Sequence, residues 1–339
     1  MRTETSLAWD GFVAQVFKLN KITAGVKKFT VDPSVQQVLE DKIQEDNEFL
    51  TKINIVPVTE KQGQKLGLSI GGPIAKTTNT ASQDRETSDP TNIDLEDEYD
   101  CTQTNYDTHV TYGKLDLWAK FKDFQLRLRN FIIKRQGLDR IMIGFNGVSR
   151  AATSNPTTHP LLQDVNIGWL QKIRTNAPQR WMSEGDNAGE IRVGSAVGSD
   201  YATLDALVQD MVDELIDPWF RDDTGLVVIC GRKLLADKYF PMINTPNAPT
   251  EQIALNMLLS QKSLGGLQAV RVPFFPDNAM LVTRLDNLSI YWQEGSRRRL
   301  IVDNPKRDRI ENYESSNDAY IVEDYGMAAL AENIVYTDA

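Results

Sequence analysis

The residues able to do chemistry in this chain are few, and they are badly placed for it. Gly67-Leu68-Ser69-Ile70-Gly71 fits the G-x-S-x-G pattern of a nucleophile elbow. Such an elbow needs a strand, a strained turn and then a helix, with an imidazole base in reach of the serine. Here Gly72-Pro73 and a Thr/Asn-rich polar stretch follow Ser69, which reads as a Gly-rich β-hairpin. Only two histidines occur, His109 and His159, so a His-rich zinc site has almost no ligands and a general base almost no candidates. The two cysteines, Cys101 and Cys230, cannot build a disulfide framework and suit a reducing interior as small hydrophobes. Neither G-x-x-x-x-G-K-S/T nor G-x-G-x-x-G is present, so no phosphate cradle is expected. Asn287-Leu288-Ser289 is a glycosylation sequon, idle without secretion. These residues give no catalytic, cofactor or metal site, and a serine hydrolase built on Ser69 stands only as the alternative reading.

Charge is more informative than motif. The 339 residues carry a net charge of −10, which opposes tight binding of the whole molecule to nucleic acid. It is unevenly spread. Residues 84–100 hold eight acids against Arg85, without the spacing of an EF-hand calcium loop. Residues 1–29 hold Arg2, Lys18, Lys21, Lys27 and Lys28 against Glu4 and Asp10. Two further basic clusters stand out. Lys122, Arg127, Arg129, Lys134, Arg135 and Arg140 lie opposite an apolar helical stripe, and Arg297, Arg298 and Arg299 precede Lys306, Arg307 and Arg309. Each reads as a solvated face or as an edge meeting acidic neighbours or polyanion.

The elements that must position these residues follow from periodicity. Residues 1–29 form a weakly amphipathic arm, with apolar residues too scattered to make a core element alone. Asp32-Pro33 opens a helix with Val35, Val38, Leu39 and Ile43 as its buried stripe. Residues 59–113 read as two strands joined by a long polar connection that cannot bury enough apolar surface to fold alone. The strongest helical signal runs over 115–146, through Trp118, Phe124, Leu128, Phe131, Ile141 and Phe145. Asp164 and Asp200 are expected to cap two later helices, and a helix is expected near 251–260. Leu226-Val227-Val228-Ile229-Cys230 reads as a buried strand. Strands are expected at 268–273, 279–284, 287–293, 298–302, 308–314 and 318–324, before a final apolar stretch from Ala328 to Tyr336. The class is α+β, with no run of apolar residues long enough to span a membrane and no apolar signal-like core in residues 1–20.

Ordered blocks of residues also resemble a known family. They include Lys27-Lys28-Phe29-Thr30-Val31, Ile53-Asn54-Ile55-Val56-Pro57-Val58, Asp123-Phe124-Gln125-Leu126-Arg127 and Ile132-Ile133-Lys134-Arg135-Gln136. Farther on stand Gly168-Trp169-Leu170-Gln171-Lys172, Leu234 to Pro241, Ala269-Val270-Arg271-Val272-Pro273 and Glu311-Asn312-Tyr313-Glu314-Ser315. Across nearly the whole chain the sequence resembles the major capsid proteins of P2-like tailed phages, departing most at 76–100, 183–199 and 242–256. That resemblance implies an HK97-like capsid fold. It implies a basic leader (1–29), an N-terminal arm (30–56), an extended hairpin or E-loop (57–113) and a peripheral domain (114–199) with a spine helix at 115–146. An axial domain (200–284), peripheral strands (285–325) and a C-terminal axial segment (326–339) complete the expected plan. The implied function is a shell protein that assembles as hexamers and pentamers into an icosahedral head around double-stranded DNA, in the host cytoplasm. The implied partners are other copies of the chain, an internal scaffold and its protease, a portal at one vertex and weakly held DNA, with no membrane. Cleavage is expected near Phe29 and Thr30.

Overall fold

The computed structural model describes residues 3–21, 28–65, 69–70, 75–87, 91–92, 98–118, 124–236, 238 and 263–337. Its helices are α1 (Thr3–Leu19), α2 (Pro33–Glu45), α3 (Tyr112–Trp118), α4 (Phe124–Asn146), α5 (Trp169–Asn176) and α6 (Leu204–Asp210). The start of α2 follows its sequence signal: the Asp32 carboxylate accepts from the Ser34 N–H, and Pro33 fills the first helical position. The expected helix at 115–146 is described as α3 and α4, with 119–123 outside the described residues. The helix expected near 251–260 also lies outside them.

Strands are numbered in chain order. In the larger sheet β1 (Lys28–Thr30), β16 (Arg298–Asn304), β17 (Arg309–Val322), β15 (Leu288–Gln293) and β2 (Asn54–Val58) lie side by side in that order. β7 (Thr102–Asn105) and β8 (Thr108–Thr111) also pair with β17. The two strands expected at 308–314 and 318–324 are thus one continuous strand. Its polar centre is not a break, because Ser316 is buried and donates to Asp318 Oδ2 at 3.0 Å. The second sheet runs β12 (Ser263–Leu264), β13 (Leu267–Val270), β11 (Leu226–Cys230), β14 (Met280–Arg284), β18 (Ala329–Ala331) and β9 (Trp181–Met182). β10 (Ile191–Val193) pairs in parallel with β19 (Ile334–Tyr336). Two short ladders are nested one inside the other: β3 (Gln62–Gln64) with β6 (Glu98–Asp100), and β4 (Ser69–Ile70) with β5 (Thr91–Asn92).

The second sheet is covered on both faces, which explains the unbroken apolar run of β11. Val227, Ile229, Leu281 and Leu330 point into one core, and Val228, Cys230, Met280, Val282 and Ala329 into another. The first core joins both sheets to α4 and α5 around Trp169. That ring is fully buried, donates to the Ser289 carbonyl at 3.0 Å and packs edge-on against Phe49, Phe145 and Tyr320. Helix α4 can approach it only because residue 144 is glycine: a Cβ there would stand 2.2 Å from the indole. Two expected caps do other work. Gly168 occupies the N-cap of α5, while Asp164 accepts from the Asn155 N–H. Thr203 caps α6, while Asp200 accepts from the N–H groups of Asp186 and Arg192. Asn287 of the sequon is buried, donating to Thr283 Oγ1 and the Asp324 carbonyl.

The least expected feature is ionic. Arg140 of α4 is fully buried and forks onto Glu40 of α2, with its Nη2 also donating to Asp318 of β17 at 3.2 Å. Arg297, just before β16, donates to Glu40 at 2.7 Å, to Glu314 at 2.6 Å and to Gln136 Oε1 at 2.8 Å. Tyr106 donates to Asp318 at 3.2 Å. Two sequence expectations are corrected here: Arg140 is not on a solvated face, and Arg297 is not on an inter-subunit or DNA-facing edge. Each has more buried acceptors inside the subunit than any surface position would offer. The network also turns α2. Its buried residues are Gln36, Glu40 and Ile43, one helical face at i, i+4 and i+7, whereas Val38 of the expected stripe is 59% exposed.

Breaking the network leaves a buried charge unpaired, so Arg140→Met or Glu40→Leu is expected to destabilise the unassembled subunit by about 3–5 kcal/mol. Urea unfolding checks this. The carboxylates also set a pH dependence. Burial pushes Glu40 up, but Arg140 and Arg297 outweigh it, and its pKa lies below the ordinary 4.5. Burial likewise raises Glu314, and Arg297 and Arg299 outweigh it. A lowered folded pKa gives stability that is present above 4.5 and lost as pH falls through the folded values. Stability measured downward from pH 4.5 should therefore fall, and less steeply in a variant lacking Glu40.

Candidate functional site

Among the described residues no catalytic constellation forms around the residues first considered for chemistry. Ser69 sits in β4, paired in antiparallel register with Asn92 of β5, so its backbone is a hairpin strand rather than an elbow. His109 lies on β8 opposite Glu311, and His159 is on an exposed loop. Burial pushes the Cys101 thiol up to about 12 and the Cys230 thiol up to about 11, so neither is a nucleophile at neutral pH. Among the described residues no cluster of His, Cys, Asp and Glu could hold a metal, and no helix is long and apolar enough to cross a membrane. Part of the acidic window at 84–100 lies outside the described residues.

What the chain offers instead is surface. The outer face of α4 carries Arg127, Arg129, Lys134 and Arg135, all exposed, with Arg135 paired to Asp139 at 2.8 Å. Phe131 lies on this face and is 71% exposed, although its type and spacing place it in the apolar stripe. The cause is the ionic network: Ile133, Gln136 and Arg140 turn inward, and Phe131 is turned out. Lys122 lies outside the described residues. In the second basic cluster Arg298 is exposed, and Arg299 is half-buried and donates to Asn312 Oδ1 at 2.8 Å. Arg307 is exposed at the tip of the β16–β17 hairpin, where Asp308 takes a left-handed φ of 48°. The structure thus separates the two clusters into two exposed basic patches and two buried arginines, Arg140 and Arg297.

Two segments lie outside the two main cores. The first is the pair of nested ladders between β3 and β6, whose described polar connection at 75–87 is almost wholly exposed. The second is α1 with β1. The leader is not a bare arm, because Val16 and Phe29 are buried with Val31, and Phe17 stacks edge-on against Phe29 at 5.7 Å. Thr5 Oγ1 donates to Asp116, and Asn20 Oδ1 accepts from the Asp32 N–H. Phe29 and Thr30 pair with Arg299 and Arg298 at the edge of the larger sheet. Sequence periodicity missed this strand because three residues are too few to give a period.

The family model for the phage major capsid protein of the P2 family matches residues 8–334. The chain belongs to the P2 family of phage major capsid proteins. It is 52% identical over 347 residues to the capsid protein of Escherichia phage P2, covering all of this chain and 96% of that one. It is 38% identical to the major capsid protein of Serratia phage KSP20, covering 99% and 98%. Its fold matches a chain in the solved procapsid of satellite phage P4 that includes the size-determination (Sid) protein. The TM-score is 0.83 at 50% identity, over all of this chain and 99% of that one. The protein is therefore a structural component of a phage capsid, not an enzyme, and the hydrolase reading of Ser69 is dropped. Cys101 and Cys230 should accordingly resist alkylation in native subunits at pH 8 and react fully in denaturant, as counted by mass spectrometry; rapid native labelling of either would contradict their burial.

Proposed function

We propose that this chain closes into an icosahedral head as hexamers and pentamers, and that the hairpin at 57–113 is its principal inter-subunit arm. The observation that carries the reading is the hairpin itself. Residues 102–111 of this range pair with β17 and belong to the body, but the part from β3 to β6 holds only two short ladders, its described connection is exposed and polar, and it is tied down at its base, by Tyr99 and by Lys65 donating to the Val322 carbonyl. A two-stranded ribbon is marginal alone in water, so its ordering calls for a neighbouring surface. The acids of 84–100 favour a basic one, and the outer face of α4 and the tip of the β16–β17 hairpin are the patches that fit. Heterologous contacts of this kind close into rings by symmetry.

In the same reading the fold is HK97-like, α4 with α3 is the spine helix, the sheet around β11 is the core of the axial domain, and the larger sheet belongs to the peripheral domain. The leader contacts an internal scaffold during assembly in the host cytoplasm and is cut near Phe29–Thr30 by the associated protease. The pairing of β1 with β16 adds a condition: a protease needs an extended, unpaired segment, so β1 must first lift from Arg298 and Arg299. One vertex carries a portal. DNA is confined rather than tightly bound, consistent with a net charge of −10.

Replacing residues 75–87 by a short Gly-Ser link should leave the unfolding midpoint of the subunit nearly unchanged and abolish closed shells in electron micrographs of scaffold co-expressions. Normal shells from the shortened chain would contradict the arm assignment. Mass spectrometry of subunits from DNA-filled heads should read a new N-terminus at or close to Thr30, and an intact Met1 or Arg2 start would refute cleavage.

A further inference from the structure

The leader and the returning leg of the hairpin share a small core of their own. Leu115 of α3 and Ile310 of β17 are buried in it, and Trp9 of α1, Val110 of β8 and Leu128 of α4 pack around them. Neither main core contains any of these residues. A satellite cluster of this size depends most on its largest side chain, which here is the Trp9 indole. A polar contact joins the same two helices. Thr5 Oγ1 donates to Asp116 Oδ1 of α3 at 2.8 Å, and Thr5 is only 3% exposed. Thr5 and Trp9 lie one turn apart on α1, so one face of the leader helix reaches α3 twice.

Helix α3 needs that support. Its 7 residues make about two turns, too few to hold a helix in water without packing. Among its described side chains only Leu115 is buried, while Lys114 and Leu117 are exposed. Its first residue is fixed from the other side. The Tyr112 N–H donates to the Asp308 carbonyl at 2.9 Å, and the Tyr112 hydroxyl donates to Asp303. The tip of the β16–β17 hairpin thus holds the start of α3, and the leader holds the turn that follows. The place of α3 in the chain gives the contact its consequence. The chain leaves the nested ladders through β6, joins β17 as β7 and β8, and passes directly from β8 into α3.

We propose that the leader is a brace on α3, and that its release loosens the junction through which the returning leg of the hairpin enters the body. The brace itself stands on the contacts of Thr5 and Trp9; that processing removes it rests on the proposed cleavage near Phe29–Thr30. The linkage is reciprocal, so whatever loosens α3 also loosens the leader. Hydrogen–deuterium exchange on free subunits tests the brace whether or not cleavage occurs. In the chain that starts at Thr30, and in full-length Trp9→Ala, amides of residues 108–118 should exchange about tenfold or more faster than in the unaltered chain. Those of α5 and β11 should keep their rates. Full-length Leu115→Ala should in turn speed the exchange of residues 3–19. Unchanged rates at 108–118 in Trp9→Ala, unchanged rates at 3–19 in Leu115→Ala, or acceleration spread equally over α5 and β11 would overturn the proposal. An uncut leader in DNA-filled heads would not alter these rates, so the brace and the cleavage fail separately.

Discussion

The subunit depends on five buried charges that hold its layers in one arrangement. Glu40, Arg140, Arg297, Glu314 and Asp318 come from α2, α4, the approach to β16, and two positions along β17. Hydrophobic contact alone would let the two helices roll over the larger sheet, because apolar packing is non-directional. Forked arginine pairs with fixed acceptor geometry do not allow this. The net gain in stability from such a network over an apolar core is small, and its main effect is to select one orientation of the helices. That selection fixes which side chains of α2 and α4 remain outside.

Much of the outer chemistry follows. Val38 and Phe131 are exposed because Glu40 and Arg140 take the inward positions. Ile43, Ile133, Ile141 and Phe145 of these helices stay in the main core, while Val35, Leu39, Leu128 and Ile132 face a cavity covered by the leader helix α1. The Trp169 core and the second sheet contain no residue from α1 or β1, whereas β1 edges the larger sheet and Trp9 of α1 packs on the small cluster of Leu115 and Ile310. In the proposed reading the leader is released and the hairpin is completed by a neighbouring copy, which suits a body whose two main cores need neither.

Several elements were legible from residue type and spacing. Asp32-Pro33 marks the start of α2, and the run from Leu226 to Cys230 marks a strand covered on both faces. The polar stretch around 76–90 points to a segment with no core of its own, but its bounds at 59–113 are too wide, because residues 102–111 form two short strands on β17 that carry little apolar pattern. The family could be read from ordered blocks such as Gly168-Trp169-Leu170, and Trp169 proves to be the centre of the aromatic core. The ionic network was not read, because hydrophobic periodicity treats every charged residue as outward-facing. A signal was present nonetheless. Gln36, Glu40 and Ile43 share one helical face, and Glu314, Ser316 and Asp318 alternate along one face of β17. Polar residues in phase with a buried face are the mark of such a network. The caps at Gly168 and Thr203 were missed in favour of nearby aspartates, whose carboxylates tie loops together instead.

The central claim is that the body is self-contained while the hairpin is completed by another copy. Hydrogen–deuterium exchange on free subunits and on assembled shells tests it most directly. Amides of α4, β11 and β17 should be slow to exchange in both states, while those of residues 62–64, 69–70, 91–92 and 98–100 should be fast in the free subunit and strongly protected in the shell. Equal protection of the hairpin in the two states would contradict the account.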